Sequence, residues 1–189
     1  HGTHTAGTIA AQGNNGEGIT GVAQEATIMP LRVCGFSPGA QGVFCPYSAQ
    51  IAAINYAGAN GARIANMSLG GTFGEPLVRD AFAANPQVLF VISAGNNGDD
   101  TQVSGQTTFP CSWDPTTSSV PGAVDNVVCV AASDQDDARA VFSNWGKTNV
   151  DIAAPGTETL STYTTAPVFT ENFEGSFGFS GWTSGGWAH

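Results

Sequence analysis

Along the chain, apolar runs alternate with stretches whose apolar positions recur at helical spacing. ATIMPLRVC (26–34), VLFVISAG (88–95) and NVVCVAAS (126–133) are apolar almost throughout. Continuous runs of this kind, unlike alternating ones, belong to strands buried on both faces. RIANMS (63–68) and VDIAA (150–154) are shorter runs, the second stopped by Pro155-Gly156. Between them lie helical patterns. SAQIAAINYAGANG (48–61) places Ile51, Ile54 and Ala57 on one face, with Gly58 and Gly61 near its end. EPLVRDAFAAN (75–85) is a short helix with a proline in its first turn. HGTHTAGTIAA (1–11) begins a further helix built on small residues. Buried strands alternating with helices predict an α/β fold around a parallel sheet covered on both faces. Sites in such folds lie beyond the carboxyl ends of the strands.

After Gly156 the pattern changes. The last stretch carries Phe169, Phe173, Phe177, Phe179, Trp182 and Trp187 among Gly, Ser and Thr, with no helical period. Residues 167–189 read as the opening of a separate, inserted β-rich module, and residues 1–166 as the main domain; an ordered tail packing on the main domain is the alternative.

Composition narrows the partners. Five Lys+Arg against fifteen Asp+Glu give a net charge of −10. That balance assembles no basic patch for nucleic acid and none for an anionic membrane surface. The sequence has no apolar run long enough to span a bilayer. The cysteines are Cys34, Cys45, Cys111 and Cys129, with no CxxC pair. Their even number and short spacings suggest Cys34–Cys45 and Cys111–Cys129 bridges; four buried free thiols are the alternative. An acidic surface with paired cysteines favours an oxidising, extracytoplasmic setting.

Several local motifs lead nowhere. GFSPG (35–39) has the G-x-S-x-G form of a nucleophile elbow, but Pro38 lacks the N–H such an elbow places after its serine. GNNGEG (13–18) has no following Lys-Ser/Thr, so it is no phosphate loop. DQDDAR (134–139) has Arg139 where a calcium loop of the EF-hand type needs glycine. His1 and His4 are the serious lead, since positions i and i+3 share a helix face. They read either as part of a metal site or as a catalytic base with a packed, hydrogen-bonded neighbour. Gly2, Ala6 and Gly7 keep this helix slim enough to lie deep. NMSLGG (66–71) and ISAGNNG (92–98) each end a strand in a Gly-rich turn. An asparagine there can aim its N–H into a cleft at the sheet's carboxyl edge, as an oxyanion donor does; it can equally be a turn asparagine.

Taken together and in this order, HGTHTAGTIAA, GVA (21–23), NMSLGG, SAGNNG, FSNWG (142–146) and VDIAAPG (150–156) resemble the subtilisin-like serine proteases. The resemblance covers about residues 1–163. It implies a subtilisin-like three-layer fold, with a mainly parallel sheet between helices, and endopeptidase chemistry through a Ser-His-Asp triad. Carried over by position, it makes His1 the triad base and His4 a neighbour without a triad role. Asn96 becomes the oxyanion donor. Ser68, Leu69 and Gly70 become the edge that pairs with an extended polypeptide substrate. Ser93, Ala94 and Gly95 become one wall of the pocket for the side chain before the scissile bond. GNNGEGI (13–19) matches a loop that holds a structural Ca2+ in many relatives, with Asn15 as the side-chain ligand. The four cysteines resemble those of secreted bacterial branches, so a secreted, monomeric protease is expected.

The same resemblance implies a D-[ST]-G motif before the histidine helix and GTSMA after APG. Neither occurs in this sequence, and Ser184 in TSGGW is no substitute. The chain therefore reads as an internal fragment, incomplete at both ends, that holds the triad histidine and the oxyanion asparagine but is inactive alone. Two alternatives stand beside it: a catalytically dead relative that binds extended peptide, and an α/β protein that binds metal through His1 and His4.

Overall fold

The computed structural model describes residues 1–37, 42–113, 122 and 124–163. Among these, residues 1–31 with 158–163 form one compact unit and residues 32–157 another.

The larger unit holds the sheet. Its strands β3 (Ile64–Met67), β4 (Leu89–Ser93), β5 (Val127–Ser133) and β6 (Ile152–Pro155) lie in that order, every neighbouring pair parallel. They are preceded by a short antiparallel hairpin, β1 (Gly35–Ser37) and β2 (Gly42–Phe44), and by helix α2 (Tyr47–Ala59); helix α3 (Pro76–Ala83) connects β3 to β4. The sequence pattern predicts helices at 48–61 and 75–85 and strands at 63–68, 88–95, 126–133 and 150–154. Each of these elements is present, with its ends moved by one to a few residues.

The core forms where the two helices meet the sheet. Val78, Ala81 and Phe82 fall three and four residues apart on α3 and are buried, as are Ile54 and Ala57 on α2, with Ile51 beside them. On β4, Phe90 and Ile92 are at most 1% exposed, and the Phe90 ring lies 4.5 Å from that of Phe82. Burying each such ring stabilises the fold by about 2–3 kcal/mol. Glu75 caps α3, its carboxylate accepting the Leu77 N–H at 3.1 Å, with Pro76 in the first turn where its missing N–H costs nothing. Asn126 Nδ2 lies 3.0 Å from the carbonyls of Phe82, Asn85 and Val88, which fastens the turn from α3 into β4 to the start of β5.

The disulfides join the expected partners. Cys34–Cys45 closes the β1–β2 hairpin one step beyond the Gly35–Phe44 pair. Cys111–Cys129 ties a buried 3-10 turn at Cys111–Trp113 to β5. With sequence separations of 11 and 18, each restricts the unfolded chain and contributes on the order of 3 kcal/mol.

One expectation is overturned. Residues 26–34 form no strand, and Ile28, Met29 and Leu31 are 38%, 38% and 36% exposed. A strand exists only as one side of a hydrogen-bonded ladder. Among the described residues this run has no partner, and Pro30 removes one of its donors. The β1–β2 hairpin, by contrast, is absent from the elements the pattern predicts. It falls on the stretch containing GFSPG, whose Pro38 and Gly39 lie outside the described residues, as does the whole of 167–189.

In the smaller unit, helix α1 (Gly2–Ala10) follows His1 at its N-cap. The N–H groups of Gly21, Val22 and Ala23 donate to the carbonyls of Ala11, Thr8 and Ile9, which satisfies acceptors left open by the end of the helix. This is the local work of the GVA motif. The slim face of α1 is used at Gly7, where an added Cβ would stand 2.7 Å from Ser161 Oγ. Ser161 and Thr162 hydroxyls donate to the carbonyls of His4 and Thr3 at 2.6 and 2.8 Å, so the 158–163 segment is fastened along the helix.

Candidate active site

Strands β3 and β4 end together, since Met67 pairs with Ile92 at the last register step. Ser68–Gly70 and Ala94–Asn96 therefore leave the carboxyl edge of the sheet side by side. Ser68 is exposed, and its Oγ accepts from Asn66 Nδ2 at 3.0 Å. Leu69 is half-buried against the core. Beyond Gly70 the edge is already paired, because Gly71 and Phe109 exchange two backbone hydrogen bonds of 2.9 and 2.8 Å. Thr108, buried just before Phe109, points its methyl at both turns: a Cβ added to Gly70 or Gly95 would stand 3.2 or 3.3 Å from it.

Ser93 closes β4, and Ala94 is buried, its N–H donating to Val130 O at 2.8 Å. At Gly95 the backbone takes φ +107°, which side chains rarely adopt, and turns the chain out of the strand. Asn96 is half-buried and Asn97 exposed. The chain from Gly95 to Thr101 then runs beside the FSNWG segment. Asn144 N–H donates to Gly95 O (2.9 Å), Gly98 N–H to Phe142 O (2.7 Å), Trp145 N–H to Asp99 O (2.9 Å) and Thr101 N–H to Trp145 O (2.8 Å). The Asn144 side chain fills the middle of this turn at 1% exposure. Its Oδ1 accepts from Asn97 N–H at 2.8 Å and Asp99 N–H at 3.0 Å, and its Nδ2 donates to Thr108 Oγ1 at 2.9 Å. The sequence pattern assigns neither Asn144 nor Thr108 a role. For Asn144 a signal exists, since FSNWG belongs to the motif set, but its partners lie 36 to 47 residues away. For Thr108 no local signal exists.

His1 and His4 belong to the smaller unit, Asn96 to the larger. The His1 side chain is exposed at the N-cap of α1, and its carbonyl accepts the Thr5 N–H at 3.0 Å. His4 is half-buried, its Nε2 3.0 Å from Thr159 O. A carbonyl only accepts, so that nitrogen carries the proton and donates to Thr159 O. Among the described residues, no group of three or more His, Cys, Asp or Glu stands together as a metal set.

In the Gly13–Ile19 loop, Asn14, Gly16 and Gly18 take φ of 59°, 75° and 57°. Asn15 Oδ1 accepts the Glu17 N–H at 3.0 Å and keeps a second lone pair. Backbone carbonyls with this amide oxygen are hard donors, of the type calcium takes.

Residues 1–183 match the sequence model of the subtilase family, Peptidase_S8. Thermitase from Thermoactinomyces vulgaris is 36% identical over 168 residues, which cover 88% of this chain and 52% of thermitase. An extracellular protease from Xanthomonas campestris is 37% identical over 172 residues, 86% of this chain and 26% of that protein. The solved structure of a protease from Pseudoalteromonas arctica superposes with a TM-score of 0.65 at 32% identity, covering 81% of this chain and 42% of the other. The chain thus spans about half of thermitase and about a quarter of the Xanthomonas protein. No helix among the described residues is long and apolar enough to cross a membrane.

Proposed function

The chain belongs to the subtilase family, and from that premise we propose that it supplies the histidine and the oxyanion donor of a secreted serine endopeptidase. In this reading the serine and aspartate of the triad, whose motifs are absent from these residues, are supplied by the rest of a longer protein. The serine hydroxyl attacks the carbonyl carbon of the scissile peptide. His1 takes its proton and then gives it to the leaving amine, and the aspartate orients the imidazole. The Asn96 side chain donates to the oxygen on which charge appears. An extended polypeptide lies along Ser68, Leu69 and Gly70, with Ser93, Ala94 and Gly95 as a wall of the adjoining pocket. The observation that supports this reading is that Asn96 follows the Gly95 turn just past the carboxyl end of β4. Two disulfides, and a relative described as extracellular, support secretion.

A serine-directed phosphonylating reagent tests the division of the triad. The full-length protein is expected to take up one equivalent and lose activity, while the 189-residue chain takes up none and hydrolyses no peptide at an enzymic rate. Labelling of a serine within the chain overturns the reading. A full-length protein that binds peptide but resists the reagent is a dead relative.

A structural calcium on the Gly13–Ile19 loop belongs to the same reading, held by backbone carbonyls and Asn15 Oδ1, with no part in any chemical step. Calcium is then expected to raise the melting temperature of the full-length protein, and less so after Asn15→Ala. An unchanged melting temperature removes the site from the proposal.

A further inference from the structure

Asn144 is bonded to both peptide groups that flank Asn96. Its N–H donates to the carbonyl of Gly95, which belongs to the 95–96 peptide. Its Oδ1 accepts the N–H of Asn97, which belongs to the 96–97 peptide, and also the N–H of Asp99 two residues on. The torsions at Asn96 are the rotations between those two peptide planes, and they aim its Cα–Cβ bond. One buried residue therefore holds both planes. Its own amide is in turn held by Thr108 Oγ1, so it cannot rotate away without leaving buried donors unpaired. The oxygen can only be the acceptor here, since it faces two backbone N–H groups, and the nitrogen faces a hydroxyl. Gly95 is matched to the arrangement: a Cβ there would stand 2.5 Å from Asn144 Nδ2.

We propose that Asn144 is the positioning residue for Asn96, fixing the direction in which the oxyanion donor points, with Thr108 locking Asn144 in turn. This rests on the reading of Asn96 as that donor. The site needs such a device because an oxyanion donor works only if it is held in place before charge develops.

The test is a double-mutant cycle in the full-length protein, with steady-state kinetics on a peptide amide and a melting curve for every variant. Asn96→Leu is made first and is expected to lower kcat. If it leaves kcat intact, the donor reading is wrong and this proposal falls with it. Asn144→Ala is expected to lower kcat on the order of 100-fold with KM nearly unchanged, the cost of a small misplacement at a reacting centre. In the Asn96→Leu background the same change is expected to have almost no further effect on kcat, since there is no donor left to aim. Asn144→Asp, which keeps the acceptor for both N–H groups, is expected to restore most of kcat. Should Asn144→Ala not fold, Thr108→Val stands in. It keeps the buried bulk, deletes the hydroxyl that holds Nδ2, and is expected to lower kcat in the parent but not in the Asn96→Leu background. If either substitution lowers kcat by the same factor with and without Asn96, the residue supports the fold alone and the proposal is overturned.

Discussion

Replacing His1 by alanine in the full-length protein is expected to lower kcat by about a million-fold, to the level that binding and the oxyanion hole sustain without a base. That size is carried over from a subtilisin. The direction follows from the chemistry. A serine hydroxyl is a poor nucleophile until a neighbour takes its proton, and the proposed reading gives that task to His1. His4 shares the helix face, but its Nε2 donates to Thr159 O. His4→Ala is therefore expected to act on stability, by about 1 kcal/mol for the lost hydrogen bond, and to leave kcat near that of the parent. Steady-state kinetics and melting curves on the two variants separate the roles. A crippled kcat in His4→Ala at an unchanged melting temperature would reverse the assignment.

The sheet is legible in the sequence because β4 and β5 are apolar enough to need cover on both faces, and a run like VLFVIS has few other uses in a globular fold. The helices are legible through spacing: Val78, Ala81 and Phe82 point one way on any α-helix. Residues 26–34 show the limit of that reasoning. Apolar content says that a segment would gain from burial, but a ladder needs a partner, and partners are set by topology. The β1–β2 hairpin escapes for a related cause, since three-residue strands carry too few side chains for an alternation to register. At the candidate site, strand-like runs ending in Gly-rich turns mark Ser68–Gly70 and Ser93–Asn96, and these stretches do lie at or just past the ends of β3 and β4. What the sequence does not reveal is how Asn96 is held. Asn144 reads as one more polar residue in a turn, and only the fold brings it to Gly95, Asn97 and Thr108.

Replacing Asn96 by leucine, and not Asn97, is expected to remove the oxyanion donor. The two residues are chemically identical and adjacent, so geometry and family position must separate them. The donor in the family follows the Ala-Gly that ends the strand, as Asn96 follows Ala94-Gly95. Asn96 is half-buried at the turn, while Asn97 is exposed and has its backbone N–H engaged by Asn144 Oδ1. Charge gathers on the substrate oxygen only as the tetrahedral state forms. A donor aimed at that oxygen therefore lowers the barrier without tightening the ground state. Its loss appears in kcat, with KM nearly unchanged. The expected size is about 100- to 1,000-fold, or about 3–4 kcal/mol, again a value carried over from a subtilisin. Asn97→Leu keeps the backbone N–H and hence the bond to Asn144, so its kcat is expected to stay close to the parent value. Kinetics of both variants on a peptide amide decide the matter. A crippled Asn97→Leu, or an Asn96→Leu that raises KM alone, would move the donor to another group and leave Asn96 as a turn residue.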